Sequence, residues 1–343
     1  MRTPLLRPSS VVAAILVLVP VLAAAQQSEP PWNPEQSFYS STLHATNRGI
    51  AYLCEKEQGG LERITGLTAD QLGCLQAKCH VRTCDTCHRV DVEGKATFSV
   101  SQARSEEACR RCHPVAPDDP DVHFKAGMKC MSCHTPREIH GDGTAYSTYQ
   151  QPGALETRCE TCHGSISRSP SHTVHGGRLD CTPCHARELV TCLNCHVETR
   201  IKERKDVQVE LKDLFFLVNH EGRVTLGNLL SYVYQDKTMI TVAAYFPHSI
   251  QKEGRRCAAC HGTENVRQVA QDAFTLARFE NGAVQGAAGV VPLVEGMRWD
   301  LPFLDWSNGT WVPIANPAAP LVNTPFCTLL TREQLAKLER PRG

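Results

Sequence analysis

Apolar positions run almost unbroken from Val11 to Ala25, behind Arg2 and Arg7, and end in Ala23-Ala24-Ala25 before the polar Gln26-Gln27-Ser28-Glu29. The run is shorter than the roughly 20 residues of a membrane-crossing helix, and its small-residue ending predicts a secretory signal peptide over 1–25. Between 207 and 246 the pattern turns β-like. The runs are Val207-Gln208-Val209-Glu210-Leu211, Leu214-Phe215-Phe216-Leu217-Val218, Leu229–Tyr234 and Thr238–Val242. With His220-Glu221-Gly222 and Gln235-Asp236-Lys237 as turn candidates, they predict a small hairpin or meander. Val266 to Glu280 reads as a helix with Val269, Phe274, Leu276 and Phe279 as apolar members. A stretch rich in Gly, Pro and Trp follows, and Thr331 with Gln334 predicts a capping box opening a last helix through Leu338.

Composition makes a large side-chain core look doubtful. Of 343 residues only 6% are aromatic and 41% hydrophobic, with 21 Pro and 23 Gly. Lys+Arg and Asp+Glu are both 36, so charge gives no pointer to nucleic acid. The signal peptide implies export to a periplasmic or extracellular compartment, where thiols can be oxidised.

Cysteine changes the picture most. Fourteen of the eighteen cysteines form pairs two residues apart, each followed at once by histidine. The seven motifs are Cys84/Cys87/His88, Cys109/Cys112/His113, Cys130/Cys133/His134, Cys159/Cys162/His163, Cys181/Cys184/His185, Cys192/Cys195/His196 and Cys257/Cys260/His261. Two thiols at this spacing add to the two vinyl groups of one haem, and the next residue places its imidazole on the iron. A zinc ribbon needs no histidine after every pair. An eighth motif, Cys74-Leu-Gln-Ala-Lys-Cys79-His80, has a wider loop with the same ending; the alternative is that its cysteines pair with each other or with other thiols. The expected cofactor is therefore eight covalently bound haems, with His80, His88, His113, His134, His163, His185, His196 and His261 as proximal ligands. Cys54 and Cys327 remain, as a disulfide or as two buried thiols.

Seven of the fifteen histidines are then spare: His44, His123, His140, His172, His175, His220 and His248. Seven imidazoles beside eight irons predict distal ligation for most of them. One iron is left for Met, Lys, a neighbouring subunit's histidine or an open position. Close spacing of the motifs between 74 and 196 forces neighbouring irons together, since the eight residues from His80 to His88 span at most ~29 Å.

The eight motifs and interleaved histidines across 44–261 resemble the multihaem c-type cytochromes, and their count resembles the octahaem members. The resemblance implies a mostly irregular, short-helical fold with bound haems as its core, over 26–265, with a β-rich insertion near 207–246 and a haem-free tail over 266–343. It also implies electron transfer between redox protein partners, a membrane donor and a terminal acceptor, with self-assembly into a filament as an elaboration. The alternative is a reductase or oxidase of tetrathionate, nitrite, hydroxylamine or sulfite at the one iron without an intrachain distal histidine. The long helical C-terminal region of enzymes similar to hydroxylamine oxidoreductase is not foreseen here, and no motif ends in the lysine of the related nitrite reductases.

Overall fold

The computed structural model describes residues 38–340, apart from 77–80, 82, 114–120 and 167–168. The signal-peptide expectation over 1–25, and Cys79 and His80 of the wide motif, lie outside the described residues.

The β-like runs fold back through short turns. Glu221 and Gly222 both take left-handed φ angles, 48° and 76°, which suits a two-residue hairpin turn of matching twist. The strands so joined belong to one mixed seven-stranded sheet: β1 Val190–His196, β2 Val209–Lys212, β3 Leu214–His220, β4 Arg223–Tyr234, β5 Lys237–Ala244, β6 Gly289–Pro292 and β7 Leu321–Asn323. The long β4 organises the others. Its first half pairs antiparallel with β3 and its second half parallel with β1 on one edge, while β5 runs antiparallel along the other. β2 extends the sheet beyond β1, β6 pairs parallel with β3, and β7 pairs parallel with β5. Three separate hairpins account for the remaining strands among the described residues.

Leu214 to Val218 are all buried, without alternation. That is the signature of a strand covered on both faces. One cover is the helix Glu264–Ala270 with Val266 and Val269, and the last helix, Arg332–Glu339, adds Leu335. Leu226, Leu229, Ile240, Val242, Val291 and Leu293 complete an aliphatic core with Phe216 and Phe274.

The expected mostly irregular, short-helical fold with haems as its core is therefore overturned. The core is built of side chains on a mixed sheet much larger than the β-rich segment foreseen at 207–246. Few aromatics did not mean a thin interior, because branched aliphatic residues pack as densely on a pleated surface. The tail supplies the sheet with β6 and β7. Its expected helix from Val266 stops at Ala270; Phe274 and Leu276 are buried at a spacing of two, and Ala277–Glu280 is a strand. The capping box at Thr331 and Gln334 is present, with Thr331 N donating to Gln334 Oε1 over 2.8 Å.

The chain from 84 to 175 is built differently. It forms short helices, turns and the hairpin Arg89–Val92/Lys95–Phe98, and among its described hydrophobic residues only Ala108 and Ala154 are buried. No helix among the described residues is long and apolar enough to cross a membrane.

Candidate functional site

Six of the motifs fold into one and the same turn. In each, the histidine N–H donates to the carbonyl of the first cysteine four residues back: His88 to Cys84, His113 to Cys109, His134 to Cys130, His163 to Cys159, His185 to Cys181 and His261 to Cys257, all within 2.8–3.0 Å. An i, i+3, i+4 spacing on a single helical turn puts both thiols and the imidazole on one side of the backbone.

Each of these six imidazoles faces a spare one. Ring centres are 6.2 Å apart for His113 and His44, 6.0 Å for His88 and His140, and 6.1 Å for His163 and His123. They are 6.1 Å apart for His134 and His248, 6.2 Å for His185 and His172, and 6.4 Å for His261 and His175. Every pair joins one motif histidine to one spare. A nitrogen–metal bond of about 2 Å on each side, plus about 1.1 Å from nitrogen to ring centre, gives about 6.2 Å for two imidazoles on opposite faces of one iron. The six separations fit that group.

Hydrogen bonds turn several of these rings by their Nδ1 atoms. Nδ1 of His134 donates to Glu138 (2.8 Å), that of His123 to Asp121 (2.9 Å), and those of His185 and His261 to the carbonyls of Gln251 and Lys337 (3.0 and 3.1 Å). His44 Nδ1 meets Tyr149 Oη at 2.7 Å and His172 Nδ1 meets Ser169 Oγ at 3.1 Å. A proton held on Nδ1 leaves Nε2 as the basic, ligating nitrogen. Glu138 is the most heavily engaged of these partners. Burial works against its charge, yet the His134 hydrogen bond and the backbone N–H groups of Glu156 and Thr157 hold its carboxyl down at about 2.

The six motifs follow one another in space as they do in sequence. Cys87 lies within electrostatic reach of Cys112, Cys133 of Cys162, and Cys184 of Cys257. Cys109 likewise neighbours Cys130, and Cys159 neighbours Cys181. Arg111 reaches across from the second motif to the Thr86 carbonyl of the first (3.0 Å), and Arg255, just before the last, reaches Pro183 of the fifth (2.9 Å).

The motif Cys192/Cys195/His196 does none of this. It lies in strand β1, and its His196 N–H donates to Val207 instead of Cys192. Leu193 and Asn194, between the cysteines, are fully buried. Nδ1 of His196 accepts the Thr199 N–H at 3.3 Å, and Nε2 sits 2.8 Å from Asp305 Oδ1. A porphyrin iron between two ligand atoms needs about 4 Å of separation. The residues at His196 thus do not fit a six-coordinate haem in the way the other six do.

His220 is buried with Nδ1 on the Phe326 carbonyl (2.7 Å) and Phe246 against its ring, and no imidazole faces it among the described residues. The two leftover cysteines are buried free thiols, not joined to each other. Cys54 packs with Cys74 in a small cluster with Leu72 and Val197, while Cys327 donates to the Val242 carbonyl in the main core.

Sequence reasoning named the twelve paired histidines but missed their anchors. Glu138, four residues after His134, and Asp121, two before His123, were visible as nearby carboxylates; Tyr149, beside His44, comes from a distant segment and carries no local signal. Comparison of the chain with family models, curated proteins and solved structures finds no match.

Proposed function

We propose that this chain is an exported multihaem c-type cytochrome that passes single electrons between redox protein partners, a donor at the membrane and a terminal acceptor. The observation that carries the reading is the set of six mixed histidine pairs, each at the separation that two axial ligands require. Six turns present two thiols each beside a motif imidazole, and six spare imidazoles close the opposite face. A haem iron with two imidazoles exchanges an electron between ferric and ferrous states without exchanging a ligand.

The surroundings support the same reading. The segment from 84 to 175 keeps apolar side chains such as Val92, Phe98 and Val100 exposed, with Phe98 only 6.2 Å from the His88 ring. A flat apolar group held at that imidazole would cover such side chains. The Cys74/Cys79/His80 motif is retained in the proposal as a further attachment site. Six doubly ligated irons offer no exchangeable position, so carriage of electrons accounts for the pairs better than reduction of a small nitrogen or sulfur compound.

The test is a haem count on the purified exported protein, by pyridine haemochrome absorbance against protein mass, together with a low-temperature electron paramagnetic spectrum of the oxidised form. At least six covalent haems per chain with low-spin signals are expected. A colourless protein, or one whose signals are mainly high-spin, ends the proposal.

A further inference from the structure

Asn194, in the middle of the odd motif, has a left-handed φ of 55° and spends the polar atoms of its side chain on distant backbone. Its N–H donates to Ser231 Oγ (2.8 Å), its Nδ2 to the Pro302 carbonyl (3.1 Å), and its Oδ1 accepts the Leu304 N–H (3.1 Å). These bonds dock the hairpin Leu304–Ser307/Thr310–Pro313 on strand β1. Asp305 is the second residue of that hairpin, so its carboxylate is delivered to His196. Glu198 comes from the helix Val197–Glu203 that starts directly after His196. One ligand atom from each of His196, Glu198 and Asp305 falls within 4.8 Å of the others.

We propose that this cluster is a binding site for one divalent transition cation of the zinc class, separate from the six histidine pairs. The donor set of one imidazole and two carboxylates suits such a cation, and two negative charges offset its two positive ones. The imidazole is 95% buried at the side chain, while Glu198 and Asp305 are 22% and 44% exposed, which gives one dry anchor and a side open to solvent. Binding moves one proton. Nε2 gives up its hydrogen, now directed at Asp305, and Nδ1 takes a hydrogen that it donates to Thr199 Oγ1, its close neighbour. The competing partner of Glu198 is Lys202, at 3.3 Å and largely exposed, whose ammonium is displaced at small cost. Cys192 and Cys195 remain free thiols on β1 under this assignment.

The deciding experiment titrates the full, haem-loaded protein with Zn²⁺ by calorimetry after dialysis against a chelator, beside the Asp305→Asn and Glu198→Gln variants and a Cys192→Ser/Cys195→Ser variant. Asp305→Asn keeps a hydrogen bond to His196, so its melting temperature stays near that of the parent. One Zn²⁺ per parent chain, bound at least tenfold more weakly by each carboxylate variant, is the expected result. Equal binding by parent and variants, or none, overturns it. The serine variant should keep the parent's haem content, and loss of one haem would also overturn it by assigning the motif to haem. A parent chain without any haem would instead sink the cytochrome reading, and the carboxylate comparison would still decide the cation site.

Discussion

His134 and His248 face each other at 6.1 Å although five of the seven sheet strands, β1 to β5, separate them in sequence. The first belongs to a helical turn, the second to the strandless stretch after β5. Replacing His248 with alanine should convert one iron alone from low-spin to high-spin, leaving five pairs untouched. The electron paramagnetic spectrum reads this directly, and added imidazole should restore the low-spin signal. An unchanged spectrum would show that the two rings share no iron.

The ring planes divide the six pairs into kinds. His44/His113 and His123/His163 are crossed at 68° and 61°, whereas His172/His185, His175/His261 and His88/His140 lie at 19°, 22° and 29°. The relative orientation of two axial imidazoles sets the splitting of the iron orbitals they touch. The oxidised protein should therefore show both strongly anisotropic and ordinary rhombic low-spin signals. A spectrum with one kind only would contradict these planes.

Glu138 serves His134 with one oxygen and the Glu156 and Thr157 backbone with the other. Glu138→Ala leaves two backbone donors without an acceptor, at a cost of about 2 kcal/mol or more, visible as a lower melting temperature. Glu138→Gln keeps the shape but withdraws negative charge from behind the imidazole. The iron at His134 should become easier to reduce, which spectroelectrochemical titration measures as a raised potential for one centre.

Phe216 is fully buried between β4 and β6. Phe216→Ala should cost about 3–5 kcal/mol by emptying the main core. The loss should appear in thermal unfolding of the sheet followed by far-ultraviolet circular dichroism. Visible absorption bands at low temperature should stay in place, since no histidine pair touches this residue.

Burial pushes the Cys327 thiol up from 9.0 to about 11. A raised folded value means the neutral thiol is the native form. Its stabilising contribution is complete below pH 9 and is lost as pH rises through about 11. Iodoacetamide at pH 8 should leave Cys327 unmodified in the native protein and label it once the chain is unfolded. Labelling at native pH 8 would place the thiol outside the core.

The motif turns were readable because their pattern is written locally. A cysteine pair and the histidine after it need only one turn, and the near equality of motif and spare histidines already implied pairing. Which spare meets which motif was not readable: His44 reaches His113, and His248 reaches back to His134, through folding of everything between. The run Leu214–Val218 is legible as a strand, but its lack of alternation marks a doubly covered strand and so a sheet larger than a small hairpin or meander. The odd motif could not be told from its fellows by spacing. What separates it is strand pairing with β4 and a carboxylate from a hairpin more than a hundred residues away.

The chain leaves the run of six turns after the fifth, lays down strands β1 to β5 of the sheet, and returns for the last. Two spare histidines, His175 and His248, and the motif at His261 thus meet their counterparts only across that detour. During export the amino-terminal turns emerge first, so on the proposed reading the iron at His134 waits with a single axial ligand until the later segment has condensed. Maturation then waits on the chain that follows β5, and a truncation before 248 would yield a pigmented but incompletely saturated carrier.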